Sequence, residues 1–309
     1  MDPTAIRSSS VEGVGWAPGL VDTLACPACH TRGLALKPGP SCPRCGWAGT
    51  VTDGILDFVG TAQLLSEQEA ELSAQEHAVG EYYENEEKLS CHWDRMSAEK
   101  LPELLGRPSG VVLDLGCGTG SAGAALKRSG ARVIGADLAV PCLRVAARRL
   151  DGVVRCDAAR LPFADGTFDA IVSRGALHHM QDAPAVLRDA ARVLKPGGRA
   201  LFLDPRAFSW LEPVKQMIRR RDASFTDDHH AFEVKEYARL IGEAFEVEEV
   251  STHYPLAILV TVGLDLFPLP RMLPKRLAAA GLLRLDEAFT RTPLRAAGHL
   301  IAVRARRRE

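Results

Sequence analysis

Val111-Val112-Leu113-Asp114-Leu115-Gly116-Cys117-Gly118-Thr119-Gly120 is the stretch that decides the fold. A short apolar run carrying one acid is followed by three glycines that alternate with small residues, and a helical pattern begins at Ser121. An apolar run without alternation is the mark of a parallel strand buried on both faces. Glycines at 116, 118 and 120 let the backbone turn sharply and approach a ligand closely, and the helix behind them offers unpaired N–H groups to its polar part. A nucleotide-like ligand is therefore predicted here. The dinucleotide fingerprint G-x-G-x-x-G would need a glycine at position 121, where this chain has Ser121, so the spacing is G-x-G-x-G.

Outward from this turn, strand and helix patterns alternate, which predicts a parallel sheet covered on both faces. Strands are expected at 111–115, 132–137, 153–156, 169–173 and 199–204, and helices at about 121–129, 140–150, 182–194 and 232–243. Pro141 and Pro184 each fall in a first helical turn, where the missing N–H costs nothing. Two further strands, 245–251 and 299–305, are separated by 47 residues in place of a short hairpin. Ligands of such sheets bind at the carboxyl ends of the strands. That selects Ser173 to His179, Asp204 to Trp210 and the loop Asp227-Asp228-His229-His230.

The string Asp114-Leu115-Gly116-Cys117-Gly118-Thr119-Gly120 resembles the first motif of class I S-adenosylmethionine (SAM) methyltransferases. Leu161-Pro162-Phe163-Ala164-Asp165-Gly166-Thr167-Phe168-Asp169 and Arg192-Val193-Leu194-Lys195-Pro196-Gly197-Gly198 resemble later landmarks of the same family. The resemblance implies a Rossmann-like α/β sheet of seven strands and methyl transfer from SAM. It implies that Gly116, Cys117, Gly118, Thr119 and Gly120 hold the methionine part and that Asp114 organises its ammonium end. Asp137, with Leu138 beside it, would hold the ribose, and Asp157, between Cys156 and Ala158, the adenine amine. Arg174 joins this cofactor set, and Tyr83 and Trp93 would roof the pocket, because relatives carry a Tyr followed by a Trp-Asp pair there. Ordinary aromatic packing between helix and core explains Tyr82, Tyr83, His92 and Trp93 equally well. Paired histidines such as His178 and His179 are common in the methyltransferases of ubiquinone and menaquinone synthesis and their metabolic relatives, so they are in part a family habit; a catalytic base is the alternative reading. Asp228 and His229 form a second candidate pair, against the reading that they are a solvated loop.

Before this domain lies Cys26-Pro27-Ala28-Cys29 and, twelve residues on, Cys42-Pro43-Arg44-Cys45, giving C-x2-C-x12-C-x2-C. Soft thiolates at this spacing suit a tetrahedral Zn²⁺, and four of them leave no open position for substrate, so the metal is expected to be structural. A redox C-x-x-C would use only one pair. The segment resembles the small zinc-ribbon proteins that partner methyltransferases and, less closely, the ribbon of ribosomal RNA guanine methyltransferases. The expected organisation is a disordered tail at 1–20, a zinc ribbon at 21–60, a helical linker or cofactor lid at 61–105 and the methyltransferase domain at 106–309.

Of 309 residues, 46% are hydrophobic and 25% charged, with a formal net charge of −1, which gives no sign of a generally nucleic-acid-binding surface. No stretch is long and apolar enough to span a membrane, no secretory signal is recognisable, and the paired cysteines favour a reducing cytoplasm over a disulfide framework. The insertion at 255–298 is apolar and ends in a helix expected at 275–289. It is explained by a lid over an apolar substrate, by packing on the sheet or by a homodimer contact. Trp210, Arg206 and Phe267 are the candidate substrate residues, with Arg206 and the basic residues at 215 and 219–221 available to an anionic head such as a carboxylate or prenyl diphosphate. Three functions follow: methylation of a small amphiphilic metabolite, in secondary metabolism; methylation of an RNA base, which the neutral charge disfavours; or a SAM-binding regulator without catalysis.

Overall fold

The computed structural model describes residues 16–17, 19–59, 84–86, 88–207, 231–256 and 274–309. Its sheet begins with the hairpin β1 (Thr50–Thr52) and β2 (Ile55–Asp57) and continues through β3 (Val111–Leu115), β4 (Arg132–Asp137), β5 (Gly152–Arg155), β6 (Phe168–Arg174), β7 (Leu194–Pro205), β8 (Glu246–His253) and β9 (Leu300–Arg306). All five residues of β3 are buried, and they alternate between the two faces as a period of two requires. Val112 packs with Val133, Val153 and Val172 on one face, and Leu113 and Leu115 pack with Ile134, Ala136 and Val154 on the other.

The helices are α1 (Leu89–Ala98), α2 (Leu101–Leu104), α3 (Ser121–Arg128), α4 (Val140–Ala146), α5 (Ala183–Val193), α6 (Val234–Ala244) and α7 (Lys275–Thr290). α1 to α4 cover the Val112 face, whereas α5 and α6 cover the Leu113 face. In α5 the buried set is Ala183, Val186, Leu187, Ala190 and Val193, the one-sided stripe of a surface helix. Its start is fixed by Asp182, whose Oδ1 accepts from the Ala185 N–H at 2.9 Å. α6 starts with a reciprocal capping box between Glu233 and Glu236.

The strand order is β1-β2-β5-β4-β3-β6-β7-β9-β8. β3 to β7 are parallel, and β9 lies antiparallel between β7 and β8. These are the seven strands expected; the sheet has nine because the ribbon's hairpin joins it, β2 pairing in parallel with β5. A bare β5 would present unpaired backbone groups at an edge, and the hairpin satisfies them. Each Cys-x-x-Cys knuckle closes with a left-handed residue, His30 (φ 56) and Gly46 (φ 75), whose N–H groups return to the Cys26 and Cys42 carbonyls. The described part of the insertion, α7, packs through Ala279 and Leu283 against Leu89 and Trp93 of α1. Of the expected disordered tail at 1–20, residues 1–15 and 18 lie outside the described residues. Leu20, by contrast, is buried in the core and the Ala17 N–H donates to the Asp151 carbonyl at 2.7 Å, so the end of that stretch is packed on the domain. The apolar stretch at 257–273 also lies outside the described residues.

Candidate active site and metal centre

The strand ends converge on a cavity of about 770 Å³, a size typical of a ligand pocket. Its floor is the turn after β3. Gly116, Gly118 and Gly120 adopt φ of 67, 51 and 79. A Cβ on Gly116 would meet Ala176 Cβ at 2.3 Å, whereas one on Gly118 would meet nothing within 4 Å and would take up open space in the cavity instead. The Thr119 carbonyl accepts from Arg149 Nη1 at 2.9 Å, which ties the turn down from behind.

Three acids face this floor. Asp114 is 1% exposed, and its Oδ2 accepts from the Gly123 N–H at 2.8 Å. Burial pushes its pKa up to about 7, although the Gly123 hydrogen bond opposes the rise. Asp137 ends β4; its Oδ2 accepts from Gly118 N–H at 2.8 Å and its Oδ1 from Ala139 N–H at 2.9 Å, and burial raises its pKa too. Asp157 follows β5, with Oδ1 held by the Ala159 N–H at 2.9 Å. Leu138, Cys156, Ala158 and Arg174 complete this half of the lining. Burial holds the Cys117 and Cys156 thiols well above their ordinary range, which makes them weak nucleophiles at neutral pH.

Across the cavity, His178 follows β6, and Asp204 lies one residue before the end of β7. His178 Nδ1 and Asp204 Oδ1 lie 2.6 Å apart, and the same oxygen accepts from the His178 N–H at 3.2 Å. Tyr237, wholly buried on α6, donates its hydroxyl to Asp204 Oδ2 at 2.5 Å. An imidazole whose Nδ1–H is bound by a fully buried carboxylate is fixed in the tautomer that carries its basic atom at Nε2. The His179 ring lies against that of His178 at a centroid distance of 3.9 Å, tilted by 38°, and both residues line the cavity.

Some expected residues sit elsewhere. Trp93 packs edge-on against Tyr254 at 5.3 Å and is absent from the described lining, while its neighbour Asp94 lines the cavity and pairs with Arg174 at 2.9 Å. Arg206 turns towards the Ala296 carbonyl and is likewise absent from that lining. Tyr83, Trp210, Phe267, Asp228 and His229 lie outside the described residues. Asp94 belongs to the Trp-Asp pair that the sequence marks as a possible roof, and of that pair it is Asp94 that reaches the cavity, whereas nothing in the sequence context of Tyr237 marks it as a site residue. Asp204 carried the signal of its position at a strand's carboxyl end.

In the ribbon, the sulfurs of Cys26, Cys29, Cys42 and Cys45 all lie within 4.8 Å of one another, with Cys26–Cys45 and Cys29–Cys42 both at 3.6 Å. Tetrahedral zinc with Zn–S bonds of about 2.3 Å would place its sulfurs about 3.8 Å apart. The donor set and its size thus fit that ion.

Residues 113–202 match the model of a methyltransferase domain family. The chain is 35% identical over 177 residues to a ubiquinone/menaquinone biosynthesis C-methyltransferase of Desulfotalea psychrophila, covering 50% of this chain and 72% of that protein. It is 40% identical over 107 residues to a demethylmenaquinone methyltransferase of Corynebacterium kroppenstedtii, covering 35% of this chain and 45% of the relative. A SAM-dependent methyltransferase of Thermotoga maritima, described as a possible histamine N-methyltransferase, shares the fold with a TM-score of 0.53 at 20% identity, covering 76% of this chain and 99% of that one. Glycine turn, strand order and relatives agree, and the chain belongs to the class I SAM-dependent methyltransferases.

Proposed function

We propose that this enzyme methylates a small amphiphilic acceptor that must lose a proton, such as a hydroxylated or quinol-like ring on an apolar tail. The observation that carries this reading is the convergence of two unlike sets of groups on one cavity: Asp114, Asp137 and Asp157 on one side, and the His178–Asp204 pair on the other. When bound, SAM supplies a methyl group activated by its sulfonium. Asp137 would hold the ribose hydroxyls, Asp157 the adenine amine, and Asp114 the ammonium group, with Asp94 and Arg174 beside it. His178 would take the acceptor's proton at Nε2 while Asp204 stabilises the imidazolium, the usual division of work for a histidine base. Positioning supplies much of the remaining rate, because the methyl donor needs no further activation.

The quinone methyltransferases among the relatives support an acceptor with a ring and an apolar tail. The apolar composition of 257–273, which includes Phe267, and of Trp210 would suit the tail of such an acceptor. Zn²⁺ on Cys26, Cys29, Cys42 and Cys45 would be structural and would keep the ribbon folded in a reducing cytoplasm; metal analysis of the purified protein should give about one equivalent.

The test is formation of S-adenosylhomocysteine with demethylated quinols of graded tail length, run beside ribosomal RNA fragments. Turnover that rises with tail length and is absent on RNA is expected. Robust methylation of RNA with none on any small acceptor would overturn the reading.

A further inference from the structure

The ribbon meets the methyltransferase sheet next to the cofactor half of the cavity. Asp57 of β2 is 4% exposed, and its Oδ1 is used by the Val59 N–H at 2.9 Å. Its Oδ2 accepts from Arg155 Nη1 at 2.8 Å. The same guanidinium donates from Nε to the Leu138 carbonyl at 3.0 Å. Leu138 lies between Asp137, which accepts from Gly118 in the glycine turn, and Ala139, whose N–H returns to Asp137. One arginine therefore spans from a ribbon strand to the backbone of the loop that carries the ribose acid. The residue that follows β2 also fixes the Arg155 backbone, since the Phe58 N–H donates to the Arg155 carbonyl at 2.7 Å.

The arrangement explains two features that catalysis leaves unused. A buried carboxylate in a ribbon has no metal to bind once four thiolates complete the site, and a pair so poorly exposed is costly unless each charge has further partners. Here both do. Arg155 also answers a weakness of the loop at 137–139: a carbonyl aimed away from the ladder needs a donor if the turn is to keep one shape.

The geometry points to Asp57 acting through Arg155 as a positioning pair for the ribose loop Asp137–Ala139, so that SAM affinity depends on the ribbon's being seated on the β5 edge. The inference rests on the reading that SAM occupies the cavity beside Asp137. It makes the ribbon part of cofactor recognition, with no ribbon atom in the described cavity lining.

The experiment measures SAM affinity by calorimetry on the full chain, together with turnover at saturating SAM and thermal melts. The variants are Arg155→Ala, Arg155→Lys, Asp57→Asn and the double variant Asp57→Ala/Arg155→Ala, which removes both buried charges together and so guards against misfolding of a chain left with one. The control is Arg144→Ala, which breaks the exposed Arg144–Asp53 bridge, another tie between ribbon and domain. SAM binding should weaken about tenfold in Arg155→Ala and in the double variant, equivalent to about 1.4 kcal/mol. Turnover at saturating SAM should hold, Arg155→Lys should recover part of the loss, and Arg144→Ala should bind as the parent does. Unchanged SAM affinity in the folded double variant, or an equal loss in Arg144→Ala, would overturn the inference. A parent chain that binds no SAM would instead break the reading of the cavity itself.

Discussion

The two halves of the cavity are built by different means. The cofactor half is made from backbone turned by glycines and from acids placed one per strand end, and each acid is held by a backbone N–H within a few residues of a strand or helix terminus. The half proposed to take the acceptor is made from side chains of three separate elements, with Asp204 at its centre bonded to residues 26 positions before it and 33 after it. A ligand common to a whole family can be held by local backbone geometry. An acceptor that changes from enzyme to enzyme is met by long-range packing, which leaves side chains free to vary.

The comparison is broken most directly at His178. If the halves are separate in function, His178→Ala should lower kcat by about 10²-fold or more and leave the SAM dissociation constant unchanged; a loss of SAM binding in titration calorimetry would merge them. Asp137→Ala is the converse substitution. SAM affinity should fall at least about tenfold for the lost hydrogen bonds to a charged acceptor, with turnover recovered at saturating SAM.

A smaller effect sharpens the comparison through pH. Asp114 is raised to about 7 by burial, so the folded chain holds that proton more tightly than the unfolded chain. Its contribution to the stability of the ligand-free protein is therefore full below about pH 4 and is lost as pH rises through 7. An ammonium group prefers the ionised carboxylate, so SAM affinity should move the other way, rising about eightfold between pH 6 and pH 7.5 with proton release on binding. Asp114→Asn should flatten that profile. A pH dependence that survives the substitution would assign it to another group.

The same division decides what could be read from the sequence. Asp114, Asp137 and Asp157 were legible through the family resemblance, whose motifs attach to residues beside a buried strand or a glycine turn. The four cysteines were legible from their spacing, since two short spacings close a site that the fold need only bring together. Tyr237 sits in an ordinary amphipathic helix, and nothing within a turn of it marks its hydroxyl as Asp204's partner. Trp93 shows the opposite error: its pairing with Asp94 suggests a roof over the cofactor, yet a ten-residue helix has two sides. Asp94 takes the cavity side, and the indole goes to the apolar seam with α7. The hairpin at 50–57 falls inside the ribbon expected at 21–60, but its place in the sheet was not legible, because backbone pairing with β5 leaves no trace in composition.

That pairing also sets an order of assembly. Asp57 and Arg155 lie 98 positions apart, and synthesis at about 5–20 residues per second separates them by several seconds. During that interval the ribbon has no sheet edge to lean on, and the proposed metal on its four thiolates would have to hold it. The central strands, by contrast, find their neighbours within a few tens of residues. Docking of β2 is thus a late, non-local closure, of the kind that slows folding. A zinc ion on the knuckles, as proposed, would let the ribbon wait, already folded, for the edge it will occupy.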